Sequence, residues 1–266
     1  MKTITVINAK GGCGKSTIAM SLAAGLSIQG KRVLLMDLDP QAQITQWLSA
    51  GDGIQSEGTF VSALTGHQSL TDIIQPTGYA NISFVASAAG LEDLGREISQ
   101  TEGYPAMLTE LLARENIADR FDFLIIDSPN QISPIMENAI FPADAFIIPF
   151  ESTKAVKSYA SIYQLLLNLR PGGDFRLIHV LINLTRLPGL RRRVLALMQE
   201  DNIVPAKSEI RSCGWLAQVD EYGGSIFHFR PHSNGAQDMK ALVQEIITLS
   251  ANGPQEAHPE TPRVAA

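Results

Sequence analysis

The sequence predicts an α/β protein built on a doubly wound, mostly parallel sheet flanked by helices. Three observations predict it. Short apolar runs alternate along the chain with longer helical ones, the pattern of parallel strands joined by crossover helices. A glycine-rich turn joins the first apolar run (Ile4, Val6, Ile7) to the first helical one (Ile18, Met20, Leu22, Leu26). Two later apolar runs end in aspartates, at Asp37 and Asp39 and at Asp127, and open α/β sheets bind ligands at the C-terminal ends of their strands. Strands are expected near 3–7, 32–36, 82–86, 121–126, 144–149 and 177–182, with another short one near 225–229. Helices are expected near 15–29, 104–116, 133–140, 153–169, 189–200 and 235–250. Residues 1–250 read as one domain and 251–266 as a disordered tail rich in Pro, Glu and Ala.

The first strand–turn–helix carries Lys10-Gly11-Gly12-Cys13-Gly14-Lys15-Ser16-Thr17. A helix N-terminus behind a glycine turn is an anion site, because backbone N–H groups point outward and the helix dipole favours negative charge. Gly11, Gly12 and Gly14 let the backbone curl with no Cβ in the way of a phosphate. Lys15 supplies a point charge for the β- and γ-phosphates, and the Ser16 hydroxyl can ligate Mg²⁺. The usual P-loop begins with glycine five residues before its final Gly-Lys; here that position is Ala9, and a second lysine, Lys10, follows it.

The second strand, through Val33-Leu34-Leu35-Met36, runs into Asp37-Leu38-Asp39-Pro40-Gln41, placing two acids at a strand tip. Residues 41–80, frequent in Gly, Ser, Thr and Gln, read as a mobile excursion, with Trp47 as a packing residue beneath it. Phe121-Asp122-Phe123-Leu124-Ile125-Ile126-Asp127 is a hydrophobic strand closed by a carboxylate that can hold Mg²⁺ through water. Glu151 and Lys154, after the next strand, read as structural. Asn183 ends a further strand, where its amide can both donate and accept.

Arg186, Arg191, Arg192 and Arg193 follow with no acid until Glu200. On a helix starting near 189, Arg192 and Arg193 cannot both share the apolar face of Val194, Leu195 and Leu197. Lys207, Arg211 and Arg230 are candidates to join them, and arginine-rich surfaces suit phosphate backbones without reading bases. A solvated helix face is the competing reading. His228 and His232 have no Cys or carboxylate framework and read as structural or surface residues.

The whole chain narrows the classes. It has 266 residues, 45% hydrophobic, enough for a full core, and a net charge of −6 that argues against a general nucleic-acid binder and requires any DNA contact to be a local patch. No apolar run approaches the ~18 residues of a membrane span. The N-terminus enters a strand directly, so neither a signal peptide nor a leading helix-turn-helix is expected. Two distant cysteines, Cys13 and Cys213, fit a reducing cytosol and offer no zinc or iron–sulfur site.

On these residues the chain resembles the ParA/MinD family of P-loop ATPases, and within it the small ParA/Soj type. The resemblance rests on the Lys10–Thr17 loop, Asp37-Leu38-Asp39-Pro40-Gln41, Asp127, Asn183 and the layout of Ile210 to Gln237, and covers about residues 2–250. It departs at Ser128-Pro129-Asn130-Gln131, where relatives often read Asp-x-Pro-Pro. It implies ATP and Mg²⁺ as ligands and an ATP-sandwich homodimer in which Lys10 crosses to the partner subunit's nucleotide. Asp39 would position the attacking water and Asp37 support the Mg²⁺ shell. Asn183 would read the adenine edge, with the strand of Pro205 completing the base pocket. It also implies nonspecific duplex DNA binding through C-terminal basic residues, a ParB-like adaptor or cargo protein, no membrane, and a cytoplasmic, nucleoid-associated location in a bacterium. A protein-assembly ATPase without DNA binding, or a MinD-like membrane switch, are the alternatives. The second is disfavoured because no amphipathic membrane helix closes the chain.

Overall fold

The computed structural model describes residues 1–52, 60–88 and 90–251. In chain order the strands are β1 (Lys2–Val6), β2 (Val33–Asp37), β3 (Gln75–Pro76), β4 (Ile82–Val85), β5 (Phe123–Asp127), β6 (Ala145–Phe150) and β7 (Arg176–Leu181). The helices are α1 (Lys15–Ile28), α2 (Gln43–Asp52), α3 (Phe60–Leu64), α4 (Leu70–Ile73), α5 (Leu91–Ile98), α6 (Met107–Arg114), α7 (Ile117–Arg120), α8 (Pro134–Ile140), α9 (Thr153–Leu169), α10 (Pro188–Glu200), α11 (Val219–Tyr222), α12 (Ile226–Phe229) and α13 (Asn234–Ala251).

The strands form one sheet in the order β3-β4-β2-β5-β1-β6-β7, with only the β3–β4 pair antiparallel. Side chains alternate across it with the period of two that a strand imposes. Leu35, Ile125, Ile147 and Val180 face a layer containing α1 and α13, while Leu34, Met36, Leu124 and Ile126 face α5, α6 and α8. At the other end Phe146, Ile148 and Leu181 pack against α9 and α10. Both faces are covered, which is why the central strands read as continuous apolar runs.

The register brings the chemistry together. Asp37 and Asp127 are paired across β2 and β5, and Val6 is paired with Asp127 across β1 and β5. Both acids therefore stand beside the point where β1 enters its glycine turn.

Two expectations are corrected. Residues 225–229 form the short helix α12 rather than a strand, because the Ser225 hydroxyl accepts from Phe227 N–H and caps it. Within 41–80, the described residues are folded helix and strand, not a mobile excursion. Ile44, Trp47 and Leu48 recur at helical spacing and bury one face of α2 against the sheet, and Phe60, Leu64, Leu70 and Ile73 extend the opposite core. Trp47 packs as expected, 8% exposed. Of the expected tail, 251–266, Ala251 ends α13 and 252–266 lie outside the described residues.

Candidate functional site

The loop from β1 to α1 is shaped by its glycines. Gly12 (φ +72°) and Gly14 (φ +89°) adopt left-handed backbone, which costs other residues ~1–2 kcal/mol. At Gly14 an added Cβ would also meet Ile182 Cδ1 at 2.9 Å. The first turn of α1 has no acidic residue and no side-chain cap. Its N–H groups thus face the hollow of the loop, where an anion satisfies them. Lys15 and Ser16 sit in that hollow, 5% and 7% exposed, and Thr17 is half-buried behind them. Among the described residues Lys15 has no ion-pair partner. Cys13 is buried, its thiol donating to Lys10 O at 3.1 Å, and burial pushes the thiol pKa up, away from a reactive thiolate.

Lys10 is fixed by residues that the sequence left unassigned. Asn8, fully buried, donates from Nδ2 to Pro149 O (3.0 Å) and accepts at Oδ1 from Lys10 N (3.1 Å) and Ser158 Oγ (2.7 Å). It ties the start of the loop to β6 and α9. The Lys10 ammonium pairs with Glu151 Oε1 at 2.5 Å and donates to Gly11 O at 3.1 Å. Glu151, read from the sequence as structural, thus touches the loop, and its other oxygen, Oε2, is buried without a partner among the described residues.

The three acids differ in what they have left to offer. Asp37 is fully buried and accepts three hydrogen bonds: Oδ2 accepts from Thr45 N (2.9 Å) and Thr45 Oγ1 (2.8 Å), and Oδ1 accepts from Asp39 N (3.2 Å). Burial pushes its pKa up to about 6, opposed by those hydrogen bonds. Thr45 in turn accepts from Ser87 N (2.9 Å), and Ser87 Oγ donates to Asp39 O (2.7 Å). Asp37 thereby shapes the Asp39 turn, with three of its roughly four lone-pair sites taken. Asp39 is 6% exposed; its Oδ1 accepts from Gln41 N at 3.0 Å, and its Oδ2 accepts no hydrogen bond among the described residues.

Asp127 is the opposite case. It is fully buried, and among the described residues neither carboxylate oxygen has a hydrogen-bond partner. Burial, followed by repulsion from Asp37, raises its pKa well above the usual carboxylate range; the nearby Ser16 hydroxyl and Lys15 act the other way. A buried acid without partners, beside a hydroxyl, is the donor set a hard cation completes, so Ser16 and Asp127 fit Mg²⁺. Among the described residues no three His, Cys, Asp or Glu side chains are grouped to hold a metal unaided. Mg²⁺ in this site would take its remaining ligands from phosphate and water.

Asn183 lies at the exposed tip of β7 in left-handed backbone (φ +60°), fixed by Asn183 N to Ile210 O (2.9 Å) and by Ser212 Oγ to its carbonyl (2.8 Å). Its side-chain amide faces solvent. Pro205 bridges His179 in the middle of β7 and lines a groove of about 540 Å³ with Leu195, Met198 and Val204. The segment after it runs on along β7 and lies beside Asn183 at Ile210 to Ser212.

The basic residues divide. Arg191 is bound in a fork to Glu209 (2.9 and 3.0 Å), and Arg211 to Asp238 (2.7 and 3.0 Å). Those carboxylates hold each of these guanidiniums above its already high pKa. Arg186, Arg192, Arg193 and Lys207 are exposed, and none forms an ion pair among the described residues. No described helix is long and apolar enough to cross a membrane.

A strand-to-helix phosphate loop beside strand-tip carboxylates defines a P-loop nucleotide-binding protein. The model of the AAA domain family matches residues 1–170. Over 256 residues the chain is 29% identical to the chromosome-partitioning ATPase Soj of Thermus thermophilus, covering 93% of this chain and 96% of that one. It is 27% identical to the sporulation initiation inhibitor protein Soj of Bacillus subtilis over 262 residues, covering 95% and 99%. In structure it is similar to McdA of Cyanothece without nucleotide, with a TM-score of 0.81, 22% identity and coverage of 93% and 99%. A variant of that protein in complex with ATP gives 0.78, 22%, 97% and 99%. The chain belongs to the ParA/MinD family of P-loop ATPases.

Proposed function

We propose that this protein is a Mg²⁺-dependent ATPase whose ATP-bound homodimer binds duplex DNA nonspecifically and, with a ParB-like adaptor, positions a plasmid, chromosome or protein cargo in a bacterial cytoplasm. One observation carries the catalytic half: a buried Asp127 carboxylate with no hydrogen-bond partner among the described residues, beneath a P-loop whose buried Lys15 forms no direct ion pair among them. Lys15 and the α1 N–H groups hold the β- and γ-phosphates, and Ser16 and Asp127 hold the metal. Bound Mg²⁺ supplies charge neutralisation at the phosphate oxygens. Asp39, with a free carboxylate oxygen in a turn made rigid by Asp37, Thr45 and Ser87, orients the attacking water. Phosphoryl transfer is chiefly positioning and electrostatic stabilisation, so no covalent intermediate is required. Asn183 meets the adenine edge.

Lys10 reaches the partner subunit's nucleotide when the dimer closes, and it leaves Glu151 to do so. Turnover is slow because closure precedes it, and the adaptor accelerates it. The exposed cations Arg186, Arg192, Arg193 and Lys207, doubled in a dimer, form the phosphate-binding surface. The relatives named chromosome-partitioning ATPases support this reading. A second reading, a protein-assembly ATPase that does not bind DNA, is favoured by the commitment of Arg191 and Arg211 to carboxylates and by the net charge of −6. A membrane switch is less supported, since Met239, Leu242, Val243 and Ile246 of α13 are buried in the core.

The test is nucleotide binding and hydrolysis by the wild type and Lys15→Ala. Loss of both in the variant, with an unchanged melting temperature, supports the site; unchanged affinity and turnover would refute it.

A further inference from the structure

The turn before α11, together with α11 and α12, carries a surface cluster that the nucleotide site does not use. Gly223 and Gly224 (φ +66° and +73°) separate the two helices in backbone that other residues rarely adopt. The break folds Phe229 back onto Tyr222, with ring centroids 5.0 Å apart and planes 15° from parallel. Trp215 meets the same Tyr222 edge-on at 6.3 Å. The Arg230 guanidinium lies over the Trp215 ring at 3.9 Å and 5.8 Å from the centre of the Tyr222 ring.

Arg230 forms no ion pair among the described residues; Nη1 donates to Phe229 O at 2.9 Å and its other donors are uncommitted. The Trp215 indole N–H and the Tyr222 hydroxyl likewise have no hydrogen-bond partner among those residues. Tyr222 is 48% exposed, and Trp215, Phe229 and Arg230 are half-buried. A guanidinium held flat on an indole is already ordered, so it loses little more freedom when a carboxylate fills its fork. Trp, Tyr and Arg dominate protein interfaces because each combines a large apolar face with a donor at its edge.

The donor set decides the occupant. All three polar groups can donate, which fits a carboxylate, and the ring faces around them fit apolar side chains. Glu221, exposed beside Tyr222 in α11, repels a continuous polyanion such as duplex DNA, whereas a peptide can place an uncharged residue there. From behind, the cluster bears on α2: Leu216 and Val219 pack in one core with Trp47 and Leu48, and a Cβ added at Gly223 would meet Trp47 O at 3.3 Å. Trp47 is two residues from Thr45, which donates twice to Asp37, so an occupant of this surface leans on the helix that shapes the Asp39 turn. On the reading of a partner-regulated ATPase, on which this step rests, we propose that Trp215, Tyr222 and Arg230 dock an acidic segment of a protein partner. Its carboxylate fills the Arg230 fork and its apolar side chains cover the rings.

Calorimetry measures binding of the peptide acetyl-Gly-Glu-Phe-Asp-Leu-Glu-Gly-amide, and of its counterpart with Gln and Asn in place of the acids, to the wild type, Arg230→Gln, Arg230→Lys and Tyr222→Ala. The acidic peptide should bind the wild type and bind Arg230→Gln about tenfold more weakly, and the neutral peptide should bind the wild type about tenfold more weakly. Arg230→Lys keeps the charge but neither the planar fork nor the stacking, so it should stay several-fold weaker than the wild type. Melting temperatures report folding, and Tyr222→Ala, at an exposed ring, should show a several-fold loss even where an Arg230 variant unfolds. No binding of the acidic peptide up to about 1 mM, or equal binding by the wild type and Arg230→Gln, would overturn the docking site. Tighter binding of an unrelated duplex DNA, lost in Arg230→Gln, would overturn it too and assign the cluster to a nucleic-acid surface. ATP hydrolysis by the same wild-type preparation, measured without peptide, tests the ATPase reading separately.

Discussion

Glu151→Gln should tighten the ATP-dependent dimer. In the described chain Lys10 is held by its own subunit, 2.5 Å from Glu151 Oε1, with the two side chains 30% and 14% exposed. Crossing to a partner breaks that pair. A hydrogen bond to a charged group contributes roughly 1.5–3 kcal/mol, and the partial exposure of Lys10 places this one at the lower end. Glutamine keeps the shape and removes the charge, and it converts the unpartnered buried Oε2 of a carboxylate into part of a neutral amide, so folding should not suffer. Release of about 1.4 kcal/mol is roughly tenfold in the opening equilibrium. Two pairs open per dimer, so the dissociation constant should fall between about tenfold and a hundredfold. Sedimentation velocity over a protein concentration series, with a non-hydrolysable ATP analogue, measures it directly. An unchanged or weaker dimer would show that Glu151 does not restrain Lys10 against closure.

Four other outcomes follow from the same geometry. Asp39→Ala should leave ATP binding intact but slow hydrolysis and accumulate the ATP dimer; normal turnover would remove Asp39 from its role with water. Joint replacement of Arg186, Arg192 and Arg193 by Ala should weaken DNA binding and flatten its salt dependence without lowering stability. Arg211→Ala should instead cost stability, because it removes the guanidinium paired with the mostly buried Asp238 and leaves that carboxylate its bond from the residue 211 backbone N–H; equal melting temperatures for the two variants would contradict this division. His179 is buried, donates from Nδ1 to Val204 O at 3.1 Å, and has its pKa lowered from 6.5 to about 4 by burial. The unfolded chain therefore takes up this proton first as pH falls, and stability is lost from about pH 6.5 down to about 4, by roughly 3 kcal/mol in all. His179→Phe should remove that component, seen as a shallower fall in urea-unfolding free energy between pH 7 and 5.

The sheet was legible because its strands are buried on both faces and their apolar runs end in chemically distinctive residues. The phosphate loop was legible because its glycines and lysines are local in sequence. What escaped notice depends on contacts between distant segments. Glu151 reaches Lys10 and Asn8 reaches Pro149 across 141 positions, and nothing beside either residue signals the partner. Thr45 lay in a stretch whose polar composition concealed the Ile44, Trp47 and Leu48 stripe of α2, so the support it gives Asp37 was missed. Ser225 could have been read as a helix cap, but the aromatic residues after it favoured a strand. Arg191 and Arg211 looked like members of a free basic run because Glu209 and Asp238 pair with them only in the folded chain.

The most direct measurement is binding of the purified protein to unrelated duplex DNA with Mg-ATP, Mg-ADP and no nucleotide, across a salt series. Four exposed cations in each of two subunits give a limiting slope of about −7 in log affinity against log salt, or roughly a 10⁴-fold loss between 50 and 200 mM. Binding confined to the ATP state and fading at close to that rate is the expected result. No binding in any state while ATP hydrolysis persists, or equal binding in all three, would contradict an ATP-gated DNA-binding dimer and favour the protein-assembly reading.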